Sequence, residues 1–396
     1  MVRFQRMYMN KGLIALAMGT FALGISEFLM MAILSHIAAA MDISVSRAGL
    51  FITAYASGVC CGAPALLFAR KIPLKRLMLI LSALIAAGNL LAAIAPGFIT
   101  FFIARFISGL PHGAYFGVGA IVARKLARQG KEASAVSVMV AGMTVATLLG
   151  VPSGTFISNM VSWRVAFIIV SVVGTFTFLA IRAWVPKVPG LEDRGFKGQF
   201  SFMKTLPPWL IFGGVLFGQT GIYCWYSYID PQLTEIALFP VKALSWLMII
   251  AGFGMFAGNL IGGKLSDRFM PSSVGAGVQA VAIPVLLMFF FFGDIKWAAA
   301  LLMALGTATL FGSSSPLQSD IVGYCRGGEM LGAACIQIAY NAGNAIAAWI
   351  GGAVIKEGYG YGATSIVGLP LILIGCVLLY TLYFKYERKY GAPQSR

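Results

Sequence analysis

The sequence predicts an all-α polytopic membrane protein, with twelve transmembrane helices in two pseudo-symmetric six-helix bundles. Three observations predict it. Of 396 residues, 59% are hydrophobic and 11% charged, and the mean hydropathy is +0.86, more apolar surface than a water-soluble core can bury. Twelve stretches each hold about 20 mostly apolar residues, enough to cross roughly 30 Å of hydrocarbon. A long polar connection, "PKVPGLEDRGFKGQFSFMKTL" over 186–206, follows the sixth stretch and divides the chain into 1–185 and 207–396.

The stretches lie near 12–34, 46–68, 75–95, 98–123, 133–157, 163–185, 207–229, 243–264, 272–293, 297–319, 328–354 and 362–384. The first follows a basic segment, as a secretory signal does. It is too long for a signal core, contains Glu27 and precedes many more apolar segments, so it reads as a retained span. Lys and Arg set the orientation. With the N-terminus cytoplasmic, the outer side receives only Arg47, Arg164, Lys242, Lys296 and Lys356, and Arg105 alone lies within a span. All other Lys and Arg fall on the cytoplasmic side, as does the C-terminus. The net charge of +16 is therefore mainly topogenic, and no nucleic-acid partner is expected. The six cysteines form no CxxC, so neither a metal site nor a disulfide framework is expected.

A weak repeat relates the halves. Residues 132–154 and 329–351 each run from Glu to Gly and begin the fifth span of their half, and "FARKI" (68–72) falls opposite "SDRFM" (266–270).

Several motifs resemble those of the major facilitator superfamily. "GGKLSDRF" (262–269) matches its G-x-x-x-D-R loop motif through Gly263, Asp267 and Arg268. The first-half copy, "GAPALLFARKIPLKR" (62–76), has Ala69 in place of the Asp. "ARFISGLPHG" (104–113) matches the fourth-helix R-x-x-x-G motif through Arg105 and Gly109. "AGMTVATLLGVPSG" (141–154) is similar to the fifth-helix antiporter motif through Gly142, Gly150, Pro152 and Gly154, with Val151 intervening where the pattern prefers Gly-Pro. "GTFALGISEF", "SGLPHGAYFGVGAIV" and "GGEMLGAA" extend the resemblance to the arabinose-efflux-like branch of the drug:proton antiporter family. The resemblance implies the major facilitator fold, alternating access between two bundles, proton-driven efflux across the bacterial inner membrane, and a loop of Asp267 and Arg268 that latches one conformation.

The residues themselves point to a proton site. Glu27 lies roughly 22 Å along the first span and Arg105 roughly 10 Å into the fourth from its outer end, so their depths match. They are the opposite charges well inside the first half, and such groups pair or face water. One reading is a proton switch in which Glu27 ionises when paired with Arg105 or wet; the other is a static structural ion pair. His112, seven residues beyond Arg105, shares its helical face and either relays protons, contacts substrate, or is a neutral histidine bonded to a neighbouring helix.

The second half offers amides and rings at helical spacing: Gln337, Asn341 and Asn344 on span eleven, and Gln219, Tyr223 and Tyr226 on span seven beside Trp225, with Tyr55 on span two joining them. They read as a substrate-binding wall, with interhelical hydrogen bonding as the alternative. Neutral amides and aromatic rings suit a sugar or a small amphipathic compound better than a strong ion. Small residues such as Gly109 and Gly142 read as close helix packing, and Pro152 as a bend in the fifth span. The expectation is a monomeric, proton-coupled exporter of small molecules among membrane lipids, energised by the proton gradient without a cofactor. A symporter or facilitator on the same fold is the alternative, and an intramembrane enzyme a remote one. No HExxH, P-loop or nucleophile beside a base is present, so an enzyme is not expected.

Overall fold

Hydrocarbon offers no hydrogen bonds, so each crossing segment must satisfy its own backbone, which a helix does. The computed structural model describes residues 2–69, 72–127, 132–188, 200–266, 268–325 and 329–390. Its first half contains α1 (Val2–Ala32), α2 (Val45–Ala69), α3 (Leu74–Ile94), α4 (Phe98–Leu126), α5 (Glu132–Val145, continuing through Ala146–Gly150 and Val151–Met160) and α6 (Trp163–Trp184). The second contains α7 (Leu206–Tyr226), α8 (Leu244–Ser266), α9 (Pro271–Phe292), α10 (Lys296–Gly312, then Ser314–Tyr324), α11 (Glu329–Lys356) and α12 (Thr364–Val367, then Leu369–Leu382).

Among the described residues, 10 helices are fit by length and composition to cross a membrane, or 11 if the bent pair Leu34–Ala40 and Val45–Gly62 forms one span. The twelfth predicted span is α7. It has 21 residues and carries two prolines near its start, with Gln219, Tyr223 and Tyr226 further along. Those polar groups are buried rather than offered to lipid. Apolar side chains such as Ile99, Trp246, Phe291 and Val377 face outward instead, as a lipid-facing surface requires.

The packing repeats between halves. In the first, α2 packs on α4, α3 on α6 and α1 on α5; in the second, α8 packs on α10, α9 on α12 and α7 on α11. Adding six to each member of the first set gives the second. Across the seam, α2 packs along α11, and the later part of α5 packs along α8.

Small residues make these approaches possible. A Cβ on Gly109 would run into the carbonyl oxygen of Tyr55, and one on Gly142 into that of Ala17. A Cβ on Gly263 would only touch Ser315 Oγ at 3.5 Å, whereas Gly262 abuts the Gly312 carbonyl. Pro152 cannot donate to the carbonyl four residues back. The helix absorbs that loss as a π-helical turn at Ala146–Gly150, just before the proline.

Candidate functional site

The first half brings its buried polar groups to one place, where α1, α2, α3 and α4 meet. Glu27 on α1 is 5% exposed, and Arg105 and His112 on α4 are 0% and 1% exposed. His112 Nδ1 lies 3.9 Å from Glu27 Oε2 and 2.9 Å from the Tyr55 hydroxyl on α2. The His112 ring stacks on Phe116 at 5.3 Å. From the second half, Asn344 Nδ2 on α11 donates to Glu27 Oε1 at 3.5 Å. Each oxygen of one carboxyl therefore faces a different half of the protein.

Arg105 does not form the direct ion pair with Glu27 that matching depth suggested. Among the described residues, no carboxylate lies within 4.0 Å of it. Its guanidinium lies 4.4 Å from the Tyr55 ring centroid and 5.6 Å from that of Phe167. One arm, Nη1, donates to Ser26 Oγ at 3.3 Å, and Ser26 in turn donates to Asn89 Oδ1 on α3 at 2.9 Å. Arg105 Nε has no hydrogen-bond partner. Register explains the difference. Seven residues separate Arg105 from His112, and the Tyr55 side chain enters that gap, its ring against the cation and its hydroxyl on the imidazole. Desolvated cation–π contacts contribute about 2 kcal/mol, a modest offset for a guanidinium removed from water. Glu27 still acts on Arg105 through space.

Tyr55 thus belongs to the Glu27–His112–Arg105 group rather than to a wall on the second half. The second-half stripe also divides. Tyr223 and Tyr226 are buried within the electrostatic reach of Glu27, and Tyr226 packs across the seam on Phe28 at 6.3 Å. Asn341 Nδ2 donates to the Gln337 carbonyl at 3.0 Å; Gln337 itself is half-buried. The Oδ1 atoms of Asn341 and Asn344 are buried without a partner. Gln219 turns away from the seam: its Nε2 donates to Ser313 Oγ at 2.9 Å and the Leu310 carbonyl at 3.3 Å, tying α7 to α10. Trp225 turns away too, packing on Phe289 at 5.2 Å and against Gly306. Both lie on the flank of α7 that faces its own bundle. Asp267 lies outside the described residues, and Arg268 is exposed.

The seam is tied at the face opposite the termini. Ser35 N donates to Asp230 Oδ2 at 2.7 Å, Ser46 Oγ to the Gly352 carbonyl at 2.5 Å, and Asn159 Nδ2 to the Val241 carbonyl at 3.1 Å. Ser35 lies in the first turn of the short helix Leu34–Ala40, so a carboxylate of one half caps a helix of the other. The sequence reading did not find Asp230. Its only signal was a carboxylate at the end of an apolar run, which reads as a span boundary.

The Major Facilitator Superfamily matches residues 16–334. The Escherichia coli (strain K12) protein named "Putative transporter AraJ" is 38% identical over 97% of this chain and 98% of its own. "Inner membrane transport protein YdhP" of Escherichia coli O157:H7 is 33% identical over 97% of each chain. "Probable sugar efflux transporter" of Helicobacter pylori (strain G27) is 27% identical over 94% of this chain and 95% of its own. A crystal structure of a bacterial homolog of the human lysosomal transporter Spinster, inward-facing and unoccupied, shares the fold with a TM-score of 0.71 at 16% identity, over 97% of this chain and 98% of that one. Family and relatives are membrane transporters rather than enzymes, and this chain belongs to the major facilitator superfamily.

Proposed function

We propose that this transporter is a proton-coupled exporter of sugars or similarly small, hydroxyl-bearing compounds, with Glu27 as its proton carrier. The observation that carries the reading is the Glu27 carboxyl itself, with one oxygen toward His112 of its own half and the other toward Asn344 of the opposite half. A proton on Glu27 and the closure of the seam thus act on the same group. In this conformation Arg105, which cannot titrate, stands off the carboxyl behind Tyr55. When the halves rock, Asn344 leaves with the second half, and the first-half cluster meets water from one side. Glu27 then exchanges its proton, with His112 and Tyr55 forming the hydrogen-bonded route beside it.

Substrate class rests on two supports. The unpartnered acceptors of Asn341 and Asn344 and the nearby Tyr223 and Tyr226 match neutral hydroxyls, which satisfy buried acceptors that would otherwise cost free energy. A relative of similar length carries a sugar-efflux name. The distribution of Lys and Arg supports a cytoplasmic position for both termini, in the inner membrane of a bacterium. The conformation, tied at the face away from the termini, is then the inward-facing one, and the protein works as a monomer without a cofactor.

The test is transport in proteoliposomes under an imposed pH gradient, with arabinose as the first of a sugar panel. Wild type should move sugar against its gradient with protons flowing the opposite way. Glu27→Gln should lose that response while retaining sugar counterflow. A Glu27→Gln protein that still follows the pH gradient removes Glu27 from the mechanism, and sugar moving with the protons reassigns the transporter as a symporter.

A further inference from the structure

At the face that carries the termini, a cleft of about 410 Å³ lies between the start of α3 and the segment beyond α6. Pro73, Lys75, Arg76, Leu79, Lys187 and Val188 line it. Lys75 Nζ donates to the Arg182 carbonyl at 2.9 Å. That bond ties the first turn of α3 to the last turn of α6 and fixes one ammonium at the cleft wall. The Lys75 charge also feels those of Lys187 and Arg182. Among the described residues, no carboxylate lies within 4.0 Å of any of these cations. Gathering like charges is unfavourable, and Lys75 and Arg76 also sit where the helix dipole repels cations.

The rest of the cleft is apolar. Pro73, Leu79 and Val188 supply that surface, and the next residue along α3, Ile80, is 42% exposed on the outer flank of the helix. The site therefore joins a cationic rim to a hydrocarbon-compatible floor that continues along a lipid-facing helix. A free inorganic anion satisfies the rim only. An anionic glycerophospholipid satisfies both, its phosphate at Lys75, Arg76 and Lys187 and its acyl chains along Leu79 and Ile80. We infer that this cleft is a specific binding site for an anionic phospholipid of the leaflet on the side of the termini. The site lies on the flank of the first half, apart from the Glu27 cluster, and does not depend on the proposed transport chemistry.

The test is native mass spectrometry of the full-length protein in detergent with phosphatidylglycerol. Parallel arms contain phosphatidylcholine, and phosphatidylglycerol with equimolar inorganic phosphate. The variant is Arg76→Gln/Lys187→Gln, two exposed positions. The control is Arg124→Gln/Lys125→Gln, a basic pair at the end of α4 on the same face. Wild type and control should hold phosphatidylglycerol through collisional activation that strips phosphatidylcholine. The cleft variant should hold it about ten-fold less, and its melting temperature should no longer rise when the lipid is added. Equal retention by wild type and the cleft variant overturns the proposal. So does equal loss in the control, which would mark a diffuse charge effect, and so does displacement by inorganic phosphate, which would mark a free-anion site. If the double variant does not purify as a single species, Lys187→Gln alone is read in the same way.

Discussion

The two halves bury their acids differently. In the first, Glu27 lies at the seam, and its partners come from both bundles. In the second, Asp320 on α10 and Glu387 beyond α12 are each 0% exposed and act on each other. Ser272 at the start of α9 donates to Glu387 Oε2 at 2.5 Å, and the Asp320 and Glu387 carboxyls lie within hydrogen-bonding reach of each other. These three groups belong to one bundle and, under the proposed mechanism, move together when the bundles rock. Glu27 would not keep both its partners through that motion. In that mechanism burial alone does not make a carboxyl a coupling site; a set of partners divided by a moving boundary does.

Substitutions can break or sharpen that contrast. The largest effect should come from Glu27→Gln, which keeps the shape and removes the titration, abolishing pH-driven transport in proteoliposomes. Next, Asn341→Ala should weaken sugar affinity by about 1–2 kcal/mol, roughly 5- to 30-fold, through loss of one buried acceptor. Calorimetry measures this, and unchanged affinity would make the amide structural. Asp230→Asn should loosen the face away from the termini by about 1 kcal/mol, since a neutral amide caps a helix less well than a carboxylate. Faster hydrogen exchange of the Ser35 amide would report it. The smallest effect on coupling should come from Asp320→Asn. Replacing one of two adjacent buried acids should leave the pH dependence of transport unchanged, and thermal stability equal or higher by about 1 kcal/mol. A shifted pH profile in that variant would erase the contrast between the halves.

Much of the fold was legible in the sequence, because apolar length and the sorting of Lys and Arg are properties of segments. The span α7, which carries Gln219, Tyr223 and Tyr226, was recoverable from its length and its place in the repeat. The site was legible in part. Glu27, Arg105 and His112 stand out because ionisable groups within spans are rare, and matching depth was enough to bring them together. Their pairing depended on what fills the gap, and the position of Tyr55 follows from how α2 docks on α4. Gln219 and Trp225 show the same limit. Helical spacing places residues on one stripe, but which flank of that stripe faces the seam is set by the neighbouring helices. Ser26 and Asn89 gave no signal, because a hydroxyl and an amide matter here only through the guanidinium between the helices. Asp320 and Glu387 lie where their spans meet the membrane boundary, so they read as ordinary end charges.

The central claim is that the protonation state of Glu27 decides whether the seam stays closed away from the termini. Electron–electron double resonance tests it most directly, with spin labels at positions 159 and 241 of a protein whose native cysteines have been replaced. The account predicts a distance distribution that shifts between two states with pH in wild type and does not respond to pH in Glu27→Gln. A Glu27→Gln protein whose distances follow pH as the wild type does would contradict it.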